Sequence, residues 1–95
     1  MRYEWDVGKA ALNLRKHGVD FAEAAVALED PRRLEEIDDR FIYDEERTLV
    51  IGMGRGRVLF VVTALRNEDT YRIISARKAT RHEQDRYYTG DLETW

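Results

Sequence analysis

The sequence predicts an α+β fold with two N-terminal helices, an antiparallel β-meander of three to four strands and a C-terminal helix. Apolar residues recur at spacings of three and four over residues 7–28, which is the period of an amphipathic helix. Over residues 33–76 they alternate with polar residues, as in strands. The strand connections are too short for crossovers, so no parallel sheet is expected. Helices followed by strands favour two layers, with the helices on one face of the sheet.

The first helix is predicted between Asp6, which suits an N-cap, and Gly18, which suits a left-handed C-terminal cap. A short strand, Tyr3–Trp5, precedes it. The apolar residues of this helix are spaced i, i+3, i+4 and i+7, and we expect the following stripe to face the core: Val7, Ala10, Ala11 and Leu14.

The second helix is predicted between Asp20, whose spacing to Glu23 resembles a capping box, and Asp30-Pro31, which ends it. Its core-facing stripe is Phe21, Ala24, Ala25 and Leu28.

Four further segments have the composition and alternation of strands: Arg33–Ile37, Thr48–Met53, Val58–Ala64 and Tyr71–Ala76. The turns between them are predicted at Asp38-Asp39, Gly54-Arg55-Gly56 and Asn67-Glu68-Asp69. A Thr-x-x-Glu capping box at Thr80 then begins the last helix, which Gly90 ends.

Length and composition indicate one domain spanning residues 1–95, since 43% of the residues are hydrophobic and no Pro/Gly/Ser-rich linker divides them. Cysteine is absent, which excludes disulfides, thiol nucleophiles and zinc–thiolate sites. No apolar run approaches the roughly 20 residues of a membrane span, and none has the pattern of a signal peptide. We therefore expect a cytoplasmic protein with no membrane partner.

The charge is unevenly distributed, although the net value is −3. Residues 20–46 contain eleven acidic groups and three Arg, whereas residues 47–81 contain eight basic groups and two acidic ones. A second island, residues 7–19, has no acidic residue and contains Lys9, Arg15, Lys16 and His17. Most of the cations are Arg, which suits bidentate phosphate contacts. This pattern favours a basic face that binds nucleic acid; solvated surface charge is the alternative.

The basic run Ser75–Arg81 lies where the last strand is predicted to meet the N-terminus of the last helix. Arg77, Lys78 and Arg81 would there flank free helical N–H groups, which is a favourable arrangement for binding an anion. The alternative is that these cations pair with Glu83, Asp85 or the acidic middle segment.

Metal-free RNA cleavage fits the available side chains, because the ribose 2′-hydroxyl can attack the neighbouring phosphate when the protein orients it, stabilises charge and transfers protons. Histidine ordinarily titrates near neutrality, so His17 is a candidate general acid or base, and Lys16 and Tyr87 are others. A capping role at the helix end is the alternative for His17, and His82 is a weaker candidate. No metal-binding motif or Gly-rich phosphate loop is present, so we expect no metal and no cofactor.

Two separate motifs resemble the signatures of the BrnT family, the toxins of type II toxin–antitoxin modules. The first comprises Glu4-Trp5-Asp6, Lys9-Ala10, Asn13, Lys16-His17-Gly18-Val19 and Phe21; the second comprises Arg72–Thr80, Glu83 and Tyr87. Residues from Glu46-Arg47 to Ile51-Gly52 also match the family's central strand. The resemblance implies a RelE-like fold and a ribonuclease that blocks translation. It also implies an antitoxin with a ribbon-helix-helix-type (BrnA-like) DNA-binding domain, a toxin–antitoxin heterotetramer and binding to operator DNA through the antitoxin.

We predict that Arg77, Lys78 and Arg81 hold the scissile phosphate, that Lys16 and His17 form a second wall and transfer protons, and that Tyr87 stacks on a base or transfers a proton. Further RNA contacts are predicted from Arg47, Arg57 and Arg72. Two alternatives remain open. One is a non-catalytic, antitoxin-binding co-repressor module with a nucleic-acid-binding basic face. The other is a structural interaction domain, which is favoured if the Arg residues are held in ion pairs.

Overall fold

The computed structural model describes residues 1–38 and 45–90, and within these ranges it contains five strands and three helices. In chain order they are β1 (Arg2–Glu4), α1 (Val7–His17), α2 (Phe21–Leu28), β2 (Leu34–Ile37), β3 (Arg47–Met53), β4 (Val58–Asn67), β5 (Thr70–Lys78) and α3 (Arg81–Thr89). The predicted helices and strands are all present, with ends shifted by at most three residues. Within the described ranges, no helix is both long enough and apolar enough to cross a membrane.

The helix ends follow the capping signals in the sequence. Asp6, Asp20 and Thr80 are N-caps whose side chains accept hydrogen bonds from backbone N–H groups of the first helical turn. Gly18 and Gly90 take left-handed conformations with φ values of 70° and 71°, which glycine adopts without steric cost. The predicted caps are therefore confirmed, except that only half of the box at Asp20 is formed, because the Glu23 carboxylate pairs with Arg57.

The sheet differs from the prediction in how its first strand pairs. Its order is β1-β5-β4-β3-β2. From β2 to β5, each strand is antiparallel to the next one along the chain, whereas β1 pairs parallel with β5. The four strands β2 to β5 confirm the predicted antiparallel meander. The expectation of no parallel pairing is wrong, because β1 joins the meander as a fifth, parallel strand. Almost the whole chain lies between β1 and β5, so the long connection that parallel pairing needs is available. Asp39 lies outside the described residues, so the turn predicted at Asp38-Asp39 stays a prediction.

The helices lie on both faces of the sheet, which corrects the expectation of a single helical layer. Successive strand residues point to opposite faces. Val50 and Val61 pack in one cluster with buried residues of α2. Ile51 of β3 and Val58 of β4 point to the other face and pack in another cluster with Tyr87 of α3. The sheet therefore separates α1 and α2 from α3, and the face under α3 is a different surface from the one under α2.

The inward face of α1 is polar at its centre, contrary to the apolar stripe expected from the sequence. Val7 and Leu14 are 79% and 48% exposed, whereas Asn13 is buried. Asn13 Nδ2 donates to the carbonyl oxygens of Val19 and Ala76, at 2.9 and 2.8 Å, and Oδ1 accepts from the Ala76 N–H at 3.2 Å. A side-chain amide therefore binds the backbone of β5 as a neighbouring strand would.

This contact determines where α1 lies. β1 pairs with β5 over Thr70–Arg72, and beyond that point no described strand covers this edge of β5. Asn13 satisfies the exposed backbone groups of Ala76 and holds α1 alongside the strand, which also protects part of an open sheet edge.

Replacing Asn13 with Ala should destabilise the protein by about 2–3 kcal/mol, because it leaves buried N–H and C=O groups without partners. Urea unfolding measures this change. Leu14→Ala, at an exposed position of the same helix, should change stability by less than about 0.5 kcal/mol. Equal stability of the two variants would show that the Asn13 contact does not hold α1 in place.

Candidate nucleic-acid interface

A groove with a volume of about 360 Å³ runs between α1 and β5. Its walls are formed by Lys9, Leu12, Asn13, Lys16 and His17 of α1 and by Ile74 and Ser75 of β5. Among the described residues that line it, none is acidic. We call this cavity the α1–β5 groove.

The helical repeat explains why cations line this groove. Lys9, Asn13 and Lys16 are spaced i, i+4 and i+7, so they lie on one face of α1. Because Asn13 is hydrogen-bonded to the edge of β5, the two lysines flank that contact along the groove. His17 follows Lys16 at the C-terminal end of the helix.

These groups are free to meet a ligand. In the part of the chain that the structure describes, the side chains of Lys16 and His17 make no hydrogen bond or ion pair. Cations in the last turn also interact favourably with the helix dipole, so their position stabilises α1 without occupying them. The α1–β5 groove therefore offers uncompensated positive charge and an imidazole in one cavity.

The corner between β5 and α3 is arranged differently from the predicted anion site. Arg77 forms a bidentate pair with Glu83, with Nη1–Oε1 and Nη2–Oε2 distances of 2.8 and 2.9 Å, and its guanidinium lies 4.3 Å from the Phe60 ring centre. Glu83 also closes the capping box with Thr80. Its carboxylate thus occupies the N-terminus of α3, as the ion-pair alternative anticipated.

Glu83 is held in its charged form at this corner. Burial raises the pKa of its carboxyl group, but the hydrogen bonds from Arg77 and Thr80 outweigh burial, and the pKa lies below its ordinary value. The Arg77–Glu83 pair is consequently neutral as a whole, and a phosphate contact by Arg77 stays a prediction.

The structure does not gather Arg77, Lys78 and Arg81 around one point. Arg77 is opposite Phe60 in β4, and Lys78 is opposite Leu59, so the two side chains leave opposite faces of the sheet. Arg81 is exposed in the first turn of α3. The three cations can meet an extended polyanion, but they do not form a single phosphate cradle.

Arg57 is engaged in contacts within the fold, although it lies partly exposed at the surface. Its Nε and Nη2 donate to the two carboxylate oxygens of Glu23 at 2.9 and 2.8 Å, and Nη2 also donates to the Gly18 carbonyl at 2.8 Å. These bonds fasten the β3–β4 turn to the junction between α1 and α2. An RNA contact by Arg57 stays a prediction.

Arg47 and Arg72 share one row across the sheet, because both are opposite Ala64 of β4. Cross-strand neighbours lie on the same face. Arg47 alternates with Ile51 along β3, so this is the face that carries α3. Arg72 lies 3.7 Å from a Glu4 oxygen, which also pairs with Arg66 at 3.1 Å. The structure thus brings these two predicted RNA-binding residues together, with Arg72 partly compensated by Glu4.

Tyr87 is buried, with 8% of its surface exposed, and its hydroxyl donates to Asp30 at 2.5 Å. Burial and this hydrogen bond raise the pKa of Tyr87 to about 12. Asp30 also accepts from the Met53 N–H at 2.8 Å, so the contact ties α3 to the end of α2 and to β3. Base stacking or proton transfer by Tyr87 stays a prediction, and the described contacts give it a bracing role.

Lys9 and Ser75 line the groove, but neither was predicted as a catalytic or RNA-binding residue. The signal for Lys9 was present in the sequence: it is seven residues before Lys16 in the acid-free island, a spacing that places both on one helical face. Ser75 was recognised as the start of the basic run, but its place opposite α1 depends on tertiary structure. No three His, Asp or Glu residues within residues 1–38 and 45–90 cluster as metal ligands would.

A small α+β domain with a cationic, histidine-containing groove along its sheet edge is the class of protein that these features define. The model of the family described as the ribonuclease toxin, BrnT, of type II toxin–antitoxin systems matches residues 5–83. The chain therefore belongs to the BrnT family of ribonuclease toxins.

The fold agrees with this assignment. The crystal structure of the Brucella abortus ribonuclease toxin BrnT is similar to this chain, with a TM-score of 0.61 and 26% sequence identity. The alignment covers 85% of this chain and 99% of the Brucella protein. Among curated proteins, no relative matches the chain at a significant level.

The Arg57–Glu23 pair should make stability depend on pH. The hydrogen bond from Arg57 is the largest cause of a lowered pKa at Glu23. A carboxyl group whose folded-state pKa is below its unfolded value stabilises the fold at higher pH, and this contribution is lost as the pH falls through the folded value. The urea midpoint should therefore decrease from about pH 6 to about pH 3, and less steeply in Glu23→Gln. Glu36→Gln, at an exposed position of β2, is the control; equal slopes in the two variants would refute this assignment.

Proposed function

We propose that this chain is a metal-independent endoribonuclease that cleaves RNA in the α1–β5 groove and thereby inhibits translation. The observation that supports this most strongly is the lining of the groove: two lysines and a histidine, without an acidic residue among the described lining residues, in a chain of net charge −3. Membership of a ribonuclease toxin family supports the same reaction class.

In the proposed reaction, the 2′-hydroxyl oxygen of a ribose attacks the adjacent phosphorus and the bond to the 5′ oxygen breaks. His17 accepts the proton of the 2′-hydroxyl, and the Lys16 ammonium supplies a proton to the departing 5′ oxygen. Lys9 and Lys16 stabilise the negative charge that increases on the phosphoryl oxygens in the transition state. The products are a 2′,3′-cyclic phosphate and a 5′-hydroxyl.

The other predicted cations take outer positions in this proposal. Lys78, Arg81 and the Arg47–Arg72 row contact flanking phosphates, and Arg77 does so through the N–H groups that its pair with Glu83 leaves available. Phosphate contacts by Arg and Lys residues contribute affinity that decreases with salt.

We also propose that the chain acts in the cytoplasm with a cognate antitoxin that carries a ribbon-helix-helix-type DNA-binding domain, and that the two form a heterotetramer which binds operator DNA through the antitoxin. A type II toxin–antitoxin family implies an antitoxin partner. Val7 and Leu14 lie on the same face of α1, two turns apart, and both are exposed. Such a partner would cover these apolar side chains.

The ion pairs of Arg57 and Arg77 favour the structural interaction domain, because they occupy two cations that RNA binding would use. A non-catalytic co-repressor is the second candidate, because the family implies an antitoxin that such a subunit would bind. The two candidates predict different behaviour of the isolated chain, since a co-repressor that lacks its antitoxin neither cleaves RNA nor arrests growth.

His17→Ala and Lys16→Ala should each reduce the rate of RNA cleavage by about 100-fold or more, since each removes a group that transfers a proton. Cleavage of a labelled RNA by purified protein measures this. The matched controls are His82→Ala, an exposed histidine of α3, and Arg15→Ala, the exposed cation next to Lys16, and both should retain the wild-type rate. Equal losses in the controls, or full activity of His17→Ala and Lys16→Ala, would place the reaction elsewhere.

Cleavage should persist at an unchanged rate in excess EDTA and should leave 2′,3′-cyclic phosphate ends, because the nucleophile belongs to the RNA itself. Mass spectrometry of the products identifies the ends. Loss of activity in EDTA with recovery on adding a divalent cation, or 5′-phosphate ends, would contradict the proposed mechanism.

A further inference from the structure

A second cavity, with a volume of about 330 Å³, lies at the N-terminal end of α1. Its lining consists of Glu4, Trp5, Asp6, Lys9, Arg72, Ile73 and Ile74. Lys9 and Ile74 also line the α1–β5 groove, so the two cavities are consecutive parts of one channel between the same helix and strand. We call the second cavity the Trp5 pocket.

The two parts of the channel differ in charge. Lys9 and Lys16 make the α1–β5 groove cationic, and no acidic residue is among its described lining. In the Trp5 pocket, the carboxylates of Glu4 and Asp6 balance the cations of Lys9 and Arg72, so this lining is neutral overall. Phosphate groups favour the first part on electrostatic grounds, whereas an uncharged, planar group can enter the second without an unpaired charge beside it.

Trp5 provides an aromatic surface in this neutral part. Its side chain is 38% exposed, and its ring packs edge-to-face on Phe21 with a centroid distance of 6.1 Å and an interplanar angle of 80°. Phe21 is fully buried in the core, so it holds the indole from one side. Bases of single-stranded nucleic acids stack on aromatic side chains that are fixed in this way.

The groups beside Trp5 are also held in place. Glu4 is paired with Arg66 and Arg72, and Asp6 accepts from the Lys9 N–H as the N-cap of α1. The side chains of Glu4, Trp5 and Asp6 therefore already have partners, which lowers the entropic cost of binding a ligand beside them.

We propose that the Trp5 pocket is a base-binding subsite, which takes the base of a nucleotide next to the scissile phosphate of a single-stranded RNA by stacking it on Trp5. This inference rests on the proposed function for the position of the phosphates in the α1–β5 groove. It assigns Trp5 to substrate positioning and leaves the proton transfers to the other part of the channel.

Tryptophan fluorescence tests this subsite directly. The chain contains two tryptophans, so Trp95→Phe leaves Trp5 as the reporter. This variant is titrated with a short 2′-O-methyl RNA, in which the attacking hydroxyl is blocked, and with an abasic strand of the same length and charge. The RNA should quench the emission of Trp5, and the abasic strand should bind without quenching it.

Affinities measured by competition separate stacking from charge. Trp5→Leu should weaken binding of the 2′-O-methyl RNA by about ten-fold and leave binding of the abasic strand unchanged, whereas Trp5→Phe, which keeps an aromatic ring on Phe21, should lose less than about three-fold. Thermal unfolding of both variants shows whether they fold. If Trp5→Leu does not fold, the subsite is tested by the quenching of Trp5 emission and by the RNA affinity of Trp5→Phe. Absence of quenching would then show that no base stacks on Trp5.

The outcomes distinguish this inference from the proposed function. If the RNA binds in a manner that depends on Lys16 but neither quenches Trp5 nor senses its replacement, the subsite is wrong and the proposed function stands. If Trp5→Leu abolishes antitoxin binding and leaves RNA affinity unchanged, the pocket is a protein contact and the subsite is also wrong. If neither strand binds and RNA is not cleaved, the proposed function is wrong, and the subsite is wrong with it.

Discussion

The side-chain amide of Asn13 replaces a missing strand at the edge of β5, and the position of the candidate site depends on this contact. The amide bonds to both backbone groups of Ala76 and to the carbonyl of Val19, so it joins α1, the α1–α2 junction and the sheet at one buried point. Since Lys9 and Lys16 lie on the same helical face, fixing Asn13 also fixes the two lysines along the channel. The buried contact is polar, which explains why α1 remains alongside the sheet although its apolar residues are largely exposed.

Two groups of basic side chains in this chain have different physical roles. Arg57 and Arg77 are paired bidentately with Glu23 and Glu83, and these pairs fasten turns and helix ends to the sheet. Lys16 and His17 have no such partner among the described residues. An acidic chain can therefore present a cationic groove, because acidic groups pair with the arginines that fasten the fold, and none is among the described residues that line the α1–β5 groove.

Local signals in the sequence predicted the parts of the fold that depend on neighbouring residues. The caps at Asp6, Gly18 and Thr80 act over three or four residues and were confirmed. The sheet face on which α3 lies depends on packing between distant segments, and the role of Asn13 depends on a residue 63 positions away in the sequence. Neither could be predicted from periodicity. At the candidate site, the charge pattern indicated the α1 island and the basic run, but it could not decide which cations were already paired.

Nuclear magnetic resonance with a 2′-O-methyl RNA tests most directly whether RNA lies in the α1–β5 groove. The account predicts that the largest backbone amide shift changes occur at Lys16, His17 and Ser75, and that they diminish in Lys16→Ala. Shift changes centred instead on Thr80 and Arg81, with Lys16 and Ser75 unaffected, would place the RNA at the β5–α3 corner and contradict the account.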